Sequence, residues 1–577
     1  MTAILGINAY HGDSSACLVI DGRLVCAIEE ERIRRVKHWA GLPVESIRWC
    51  LSYGGIELRD IDYIAIGRDP FAHLFEKLCR IIKRRLSPSF LQSRARNAMK
   101  VRRLKPAIAE ALGVDPGRVK AKLVNVEHHK AHIGSSFLVS PYEEALCVTV
   151  DGFGDFVSSM RAIGRGNSVE VRDWVSFPHS LGIFYTAFTQ FLGFPKYGDE
   201  YKVMGLSALG EPVHMDKMRE IVKTRRDGLF ELDTSYFVHE REGVHMTWEE
   251  GEPFIEPLYS EKLIRAFGKP RDAEEEISEY HRNIAASMQK RYEEAFFHLL
   301  NGSYELFRCD KLCLSGGCIQ NSLANGKIFE YTPYKEIYIP PAAHDAGIAI
   351  GAAFWVWNVV LRKPREFVMD SPYWGPSFKN EEIEKVLLAK GIKYEKMEDE
   401  QLLPRVAADI ASGKIVGFFQ GRTEWGPRAL GNRSILVDPR KKEMKDILNE
   451  RIKRRETFRP FAPSVLEEFV SEWFEHSNPV PFMEKVYLIK KEKRALVPAV
   501  VHFDGTGRLQ TVSKTLNPRY HRLIDEFYKL TGVPMLLNTS FNENEPIVNT
   551  PEDALNCFLR TKMDVLVMEQ IYVSNER

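Results

Sequence analysis

His128 and His132 stand four residues apart in Glu127-His128-His129-Lys130-Ala131-His132. On a helix that spacing puts both imidazoles on one face, where they can meet one ion. Two imidazoles alone make a weak site. With carboxylates from strand-end loops they become a mixed nitrogen and oxygen set suited to Fe(II), Mn(II) or Zn(II). Asp151, in Asp151-Gly152-Phe153-Gly154-Asp155, and Asp345, in His344-Asp345-Ala346-Gly347 ahead of the small-residue helix 348–353, are the carboxylates expected. The two acidic loops are the reason to prefer a metal site over a plain surface helix turn. His129 then points elsewhere, and His344 stands behind the ligands or apart from them.

A second concentration of chemistry is cationic. Arg422, Glu424, Arg428, Arg433, Lys453, Arg455 and Arg459 fall between positions 422 and 459, beside the turn-forming Gly421, Gly426-Pro427 and Gly431. A solvated helical face would space its charges regularly, whereas spacing broken by glycine and proline argues for a folded loop site. Planar guanidinium forks bind phosphate oxygens two at a time and neutralise charge that develops on transfer. Ser540, after the predicted strand 534–537, can add a hydroxyl to the same phosphate. The loop His502-Phe503-Asp504-Gly505-Thr506 with Arg508 is a further candidate for this site.

The elements that must position these residues can be read in outline. Residues 4–8 form an apolar strand, 10–15 carry turn chemistry, 16–20 resume the strand, and Asp21-Gly22 makes a tight hairpin into 24–28. Two more apolar strands, 146–150 and 311–314, end in Asp151-Gly152-Phe153-Gly154-Asp155 and Ser315-Gly316-Gly317. The first two of these strand ends resemble the paired phosphate loops of the actin, sugar-kinase and Hsp70 superfamily, in which two duplicated α/β halves close around ATP. The third falls where that superfamily holds adenosine. A strand feeding a glycine loop and then a helix leaves backbone N–H groups free to meet phosphate. Pro364, Pro372, Gly375 and Pro376 break the pattern between 361 and 378, as a linker would. The organisation expected is a first α/β domain over 1–360, a linker over 361–376 and a second α/β domain over 377–577, opening with a helix at 381–390 and a strand at 415–419.

At 577 residues the chain exceeds one hydrophobic core. Lys+Arg 80 against Asp+Glu 79 leaves a net charge of +1, which gives no field to attract nucleic acid or an anionic membrane. The basic stretch 80–105, with Lys83, Arg84, Arg85, Arg94, Arg96, Lys100, Arg102, Arg103 and Lys105, therefore reads as a solvated helical face. No apolar run is long enough to span a bilayer and no leader pattern opens the chain, so a cytoplasmic protein without membrane or nucleic-acid partners is expected. Nine cysteines without a CxxC pair read as reduced, buried thiols.

Taken in order, these motifs resemble the NodU/CmcH/TobZ O-carbamoyltransferases over essentially the whole length. The resemblance is carried by the opening 6–13, HHKAH, DGFGD, GDEYKVMGLSALG (198–210), SGGCIQN (315–321), HDAG, GRTEWGPRALGNRSILVDPR (421–440), KRRETFRPFAP (453–463) and NTSFN (538–542). One departure is visible: Ser207-Ala208-Leu209-Gly210 stands where Ala-Pro-Tyr-Gly is expected. The family implies an N-terminal domain similar to TsaD and a C-terminal domain similar to YrdC. The second would convert carbamoyl phosphate and ATP, with Mg(II), into carbamoyl adenylate; the first would transfer the carbamoyl group to a hydroxyl of a small molecule, a natural product or sugar, near an iron.

By motif match, the resemblance implies His128, His132, Asp151 and Asp345 as ligands of a divalent metal, with Fe(II) favoured. It assigns Gly316, Gly317 and Asn321 to a nucleotide pocket, to which Gly152, Gly154, Asp155 and Lys202 are added as candidates. Arg422, Arg428, Arg433, Lys453, Arg455, Arg459 and Ser540 become the carbamoyl phosphate and ATP site. His11 or Asp13 is then a candidate general base for the acceptor hydroxyl, with turn capping the structural alternative for His11. Lys37-His38 would line the acceptor pocket, Lys37 being the catalytic candidate. Two rival readings share parts of this pattern, a threonylcarbamoyladenosine-type enzyme acting on tRNA and a non-enzymatic ATP clamp of the actin superfamily. The acceptor is unreadable because acceptor pockets are lined by variable loops. A homodimer is left open.

Overall fold

Residues 1–77, 101–249, 251–456 and 458–575 are described by the computed structural model. Lys83, Arg84, Arg85, Arg94, Arg96 and Lys100 of the basic stretch lie outside the described residues. The chain divides into two compact units, Met1–Asn321 with Ile328–Met369, and Ser322–Lys327 with Asp370–Arg577.

In the first unit, apolar runs separated by turn residues give β1 (Ala3–Asn8), β2 (Ser15–Ile20) and β3 (Arg23–Glu29), an antiparallel meander. β4 (Tyr63–Ile66) joins β1 in parallel and β5 (Lys122–Asn125) joins β4, so the order is β3-β2-β1-β4-β5. The same order recurs downstream: β6 (Glu144–Gly154), β7 (Val157–Arg165) and β8 (Ser168–Ser176) form a second meander, β9 (Lys311–Ser315) pairs β6 in parallel, and β10 (Glu336–Tyr338) pairs β9. Two sheets of one topology are two copies of one half, the duplicated architecture of actin, the sugar kinases and Hsp70. All six residues of β1 are buried, as befits a central strand covered on both faces.

Each half sends a helix from its last strand toward the other half. α1 (His128–Ser136) follows β5, and α4 (Ile348–Phe354) follows β10, after α2 (Leu181–Phe191) and α3 (Glu279–Phe307). α1 and α4 pack on one another in near backbone contact. A Cβ at Gly351 would lie 1.8 Å from Ala131 O, so only glycine admits this crossing. The close approach brings the first turn of α1 against the turn Asp345–Gly347 that opens into α4.

The second unit is an eight-stranded mixed sheet. Its strands are β11 (Glu395–Lys396), β12 (Val416–Phe419), β13 (Arg433–Val437), β14 (Ala462–Leu466), β15 (Gln510–Val512), β16 (Met535–Ser540), β17 (Val565–Met568) and β18 (Ile571–Ser574). They run β11-β18-β17-β12-β13-β16-β14-β15. α5 (Asp399–Ser412) and α6 (Pro518–Thr531) pack together beside it, α6 starting where Pro518 follows an Asn517 side chain that accepts from Tyr520 N–H. The apolar residues of these strands and helices form one continuous core.

Candidate active site

In the first unit, α1 supplies two of four converging side chains. Glu127 accepts from Lys130 N–H at its N-terminus, fixing the turn from which His128 and His132 project together. Asp151 comes from β6 and Asp345 from the turn before α4. His128 Nε2 and His132 Nε2 face one another at 3.1 Å. Asp151 Oδ2 lies 3.2 Å from the first and 3.8 Å from the second, and Asp345 Oδ1 lies 3.6 and 3.4 Å from them. All four residues are buried, and their ligand atoms lie within 4.8 Å of one another.

Charge explains why such a cluster wants a cation. Burial alone would lower the pKa of His128, yet Asp345 and Asp151 outweigh it and push it up to about 9. His132 is raised by the same two carboxylates against its own burial. Asp151, although buried, is held well below the carboxylate range by the two imidazoles. Asp151 Oδ1 accepts from Gly317 N–H at 2.7 Å, but Asp345 Oδ1 is buried and accepts no hydrogen bond. Two imidazole nitrogens in mutual contact and an unsatisfied carboxylate oxygen are what a divalent ion with nitrogen and oxygen ligands satisfies, so the residues fit a metal.

Beside this cluster, His11 Nδ1 lies 2.6 Å from Asp345 Oδ2. Asp13 Oδ1 lies 2.7 Å from His38 Nδ1 and 3.9 Å from His344 Nε2. The loops carrying His11, Asp13 and His38 are laced by Tyr10 N–H to Gly41 O, Asp13 N–H to His38 O and Ser14 N–H to Trp39 O. Burial would raise the Asp13 carboxyl, and His38 with His344 holds it down instead. Burial would lower His38, and Asp13 lifts it to about 9. Lys37 is exposed, and its neighbour His38 is the member of that pair that meets Asp13.

The glycine loops have separable roles. A Cβ at Gly154 would meet the His128 ring at 2.0 Å, so that glycine makes room for a metal-ligand candidate, while Gly152 has open space at its Cα. Gly316 sits at φ +106 with Val150 O where a side chain would be. Asp155 accepts from Asp69 N–H and from His128 N–H, anchoring loops; burial, then Glu127, raises its pKa to about 6. Asn321 exchanges hydrogen bonds with Gln289, and Lys202 pairs with Asp199 at 2.9 Å.

The cationic stretch of the second unit splits into two populations. Arg433 is wholly buried and donates to the carbonyls of Gln420, Gly421, Asn432 and Pro376, with its guanidinium 3.6 Å over the Phe419 ring. A phosphate contact is expected of Arg433; in the structure these donors hold loops together. Lys453 is likewise buried, its ammonium donating to Ser540 O, Asn542 O and Asn542 Oδ1, so Lys453 and Ser540 shape a turn. Arg422 donates to the carbonyls of Trp374 and Gly375. Arg428, Arg455 and Arg459 behave differently. Together with burial, the larger influence, they push Arg508 well below its ordinary pKa, and the buried Arg508 Nε has no hydrogen-bond partner. Arg455 Nε also donates to Asn449 Oδ1 at 2.8 Å and Arg459 pairs with Glu456 at 3.1 Å, while the positive charge that three further guanidiniums bring to bear on the buried Arg508 is of the kind an anion neutralises.

Sequence comparison gives this pair of sites a class. Residues 3–354 match the family model described as the carbamoyltransferase N-terminus, and residues 407–575 match the carbamoyltransferase C-terminus. The chain belongs to the carbamoyltransferase family and is a carbamoyl-transferring enzyme. It is 40% identical to nodulation protein NolNO of Sinorhizobium fredii over 97% of this chain and 78% of that one. It is also 40% identical to the uncharacterised protein sll1178 of Synechocystis sp., over 100% of this chain and 97% of that one. Component A of the (R)-2-hydroxyglutaryl-CoA dehydratase of Acidaminococcus fermentans aligns with 62% of this chain and 97% of its own at 14% identity and a TM-score of 0.32.

Proposed function

We propose that the enzyme is an ATP-dependent O-carbamoyltransferase that works in two stages, one in each unit. The second unit, YrdC-like in this reading, takes carbamoyl phosphate and ATP. Water cleaves carbamoyl phosphate to carbamate and inorganic phosphate; a carbamate oxygen attacks the α-phosphorus of ATP, and pyrophosphate leaves. In the first unit, TsaD-like in this reading, the acceptor hydroxyl oxygen attacks the carbamoyl carbon, its proton passes to His11 or Asp13, and AMP leaves. His128, His132, Asp151 and Asp345 would hold a divalent metal, with Fe(II) the favoured identity. Such an ion supplies Lewis-acid polarisation of a carbonyl or phosphoryl oxygen. The acceptor is a hydroxylated small molecule.

The observation that carries this reading is the four-arginine cluster. The charges of Arg428, Arg455 and Arg459 bear on the buried Arg508, whose Nε has no hydrogen-bond partner; such a concentration of cations suits an anion, and both proposed substrates are polyanions. The test is ATP–pyrophosphate exchange with and without carbamoyl phosphate, followed by mass spectrometry of hydroxylated metabolite pools for a carbamoyl increment. Exchange that depends on carbamoyl phosphate is expected. Exchange that needs threonine and bicarbonate instead would replace this reading with a tRNA-modifying one, and no exchange at all would leave an ATP clamp.

A further inference from the structure

The loop that carries Arg428 has no regular secondary structure between Gly426 and Asn432, yet its backbone is held along much of its length. Glu424, 2% exposed, accepts on its Oε1 from three amides at once: Leu430 N–H at 2.9 Å, Asn432 N–H at 2.9 Å and Arg433 N–H at 3.0 Å. The carbonyls are claimed as well. Leu430 O accepts from Tyr373 Oη and Gln510 Nε2, Ala429 O from Asn538 Nδ2 and Gly431 O from Gln420 Nε2. Gly431 sits at φ +102, so the chain doubles back toward Glu424 where only glycine is at ease. One carboxylate oxygen binding three convergent N–H groups gives a loop a single geometry, because charge-assisted bonds are shorter and stronger than neutral ones.

We propose that Glu424 is a positioning residue for the anion site, acting through Arg428: the carboxylate folds the 424–433 loop on itself and thereby sets where that loop presents the Arg428 guanidinium. Glu424 touches no substrate in this assignment. It is an acid placed at an anion site to organise a cation, which resolves why a carboxylate sits inside a basic stretch without forming an ion pair with it. The inference rests on the reading that Arg428 meets carbamoyl phosphate or ATP.

The test is a double-mutant cycle on the full-length enzyme, with carbamoyl-phosphate-dependent ATP–pyrophosphate exchange as readout. Arg428→Ala should lower kcat/KM at least about tenfold. Glu424→Ala should do nearly the same, and the double variant should fall within about threefold of the worse single one, because a residue that acts through Arg428 has nothing left to act on. Glu424→Gln keeps an oxygen in the same place without the charge and should recover part of the loss. Glu424→Asp withdraws the oxygen by one methylene while keeping the charge, and provides the same cycle should the alanine variant not fold. Losses that multiply in the double variant, or a Glu424→Asp enzyme with unchanged exchange, would overturn the assignment. If instead Arg428→Ala itself leaves exchange unchanged, the reading of the cluster fails first and the assignment of Glu424, which rests on it, falls with it.

Discussion

The buried centre of the first unit and the arginine cluster of the second contain the same kind of information arranged in opposite ways. At the centre, four residues that, apart from the helical pair, stand 19 to 217 positions apart converge until their ligand atoms lie within 4.8 Å. In the second unit, a dense run of cations in one stretch disperses: Arg422, Arg433 and Lys453 turn to backbone carbonyls, while the charges of Arg428, Arg455 and Arg459 bear on Arg508, Arg455 also donating to Asn449 and Arg459 pairing with Glu456. Density of charge in the sequence is therefore a poor guide to which charges meet a ligand. What distinguishes them is the partner: the Lys453 ammonium is taken up by oxygens of Ser540 and Asn542, whereas Arg508 keeps a buried Nε without a partner.

The largest test of that contrast is removal of the converging pair. His128→Ala/His132→Ala should retain less than about a tenth of the wild-type metal by elemental analysis and lose carbamoyl transfer by about a thousandfold, the scale of a several kcal/mol Lewis-acid contribution. Pyrophosphate exchange should persist, since it belongs to the other unit in the proposed scheme. Stoichiometric metal in the double variant would dissolve the site.

A smaller effect should separate the two cationic populations. Arg508→Met removes a guanidinium that is repelled by three others, so the melting temperature should hold or rise while exchange falls about a hundredfold, the usual scale for losing one preorganised donor. Arg433→Met should reverse the emphasis. Four carbonyls lose a donor, two of them keeping a backbone one, and stability should fall by roughly 3 kcal/mol or more in thermal and urea unfolding. If the two substitutions instead give the same profile, the division between scaffold and ligand arginines is wrong.

Much of this could be read from residue order alone, and for a physical reason. The HxxxH spacing and the acidic strand ends are local facts, and helix and strand geometry carry them into space with little freedom. The hairpin at Asp21-Gly22 and the helix from Ile348 follow from turn chemistry and small-residue packing in the same way. The sorting of Arg433 from Arg428 is different. Both are arginines in a glycine-rich loop, and only the fold decides that one lies over Phe419 among carbonyls and the other near Arg508. His38 illustrates the same limit: its neighbour Lys37 carries the more obvious charge, but the left-handed turn at His38, φ +54, sends the imidazole to Asp13.

The smallest effect concerns the one histidine of HHKAH that the metal reading leaves aside. His129 is wholly buried, with Nε2 donating to Val157 O at 2.9 Å and Nδ1 accepting from Thr149 Oγ1 at 2.7 Å. Burial, the largest influence, lowers its pKa to about 4 from the ordinary imidazole value of about 6.5. The unfolded chain therefore takes up a proton that the folded chain refuses. The stability this reflects is fully present above pH 6.5 and is lost as pH falls toward 4, at no more than about 1.4 kcal/mol per pH unit. The measurement is urea unfolding at pH 7, 6 and 5 of His128→Ala/His132→Ala with and without His129→Gln, a background chosen so that metal release does not contribute. The stability difference between the two proteins should shrink steadily from pH 6.5 downward. A difference that stays constant over that range would mean His129 titrates alike in both states, and that the histidines of this helix differ in contacts but not in charge.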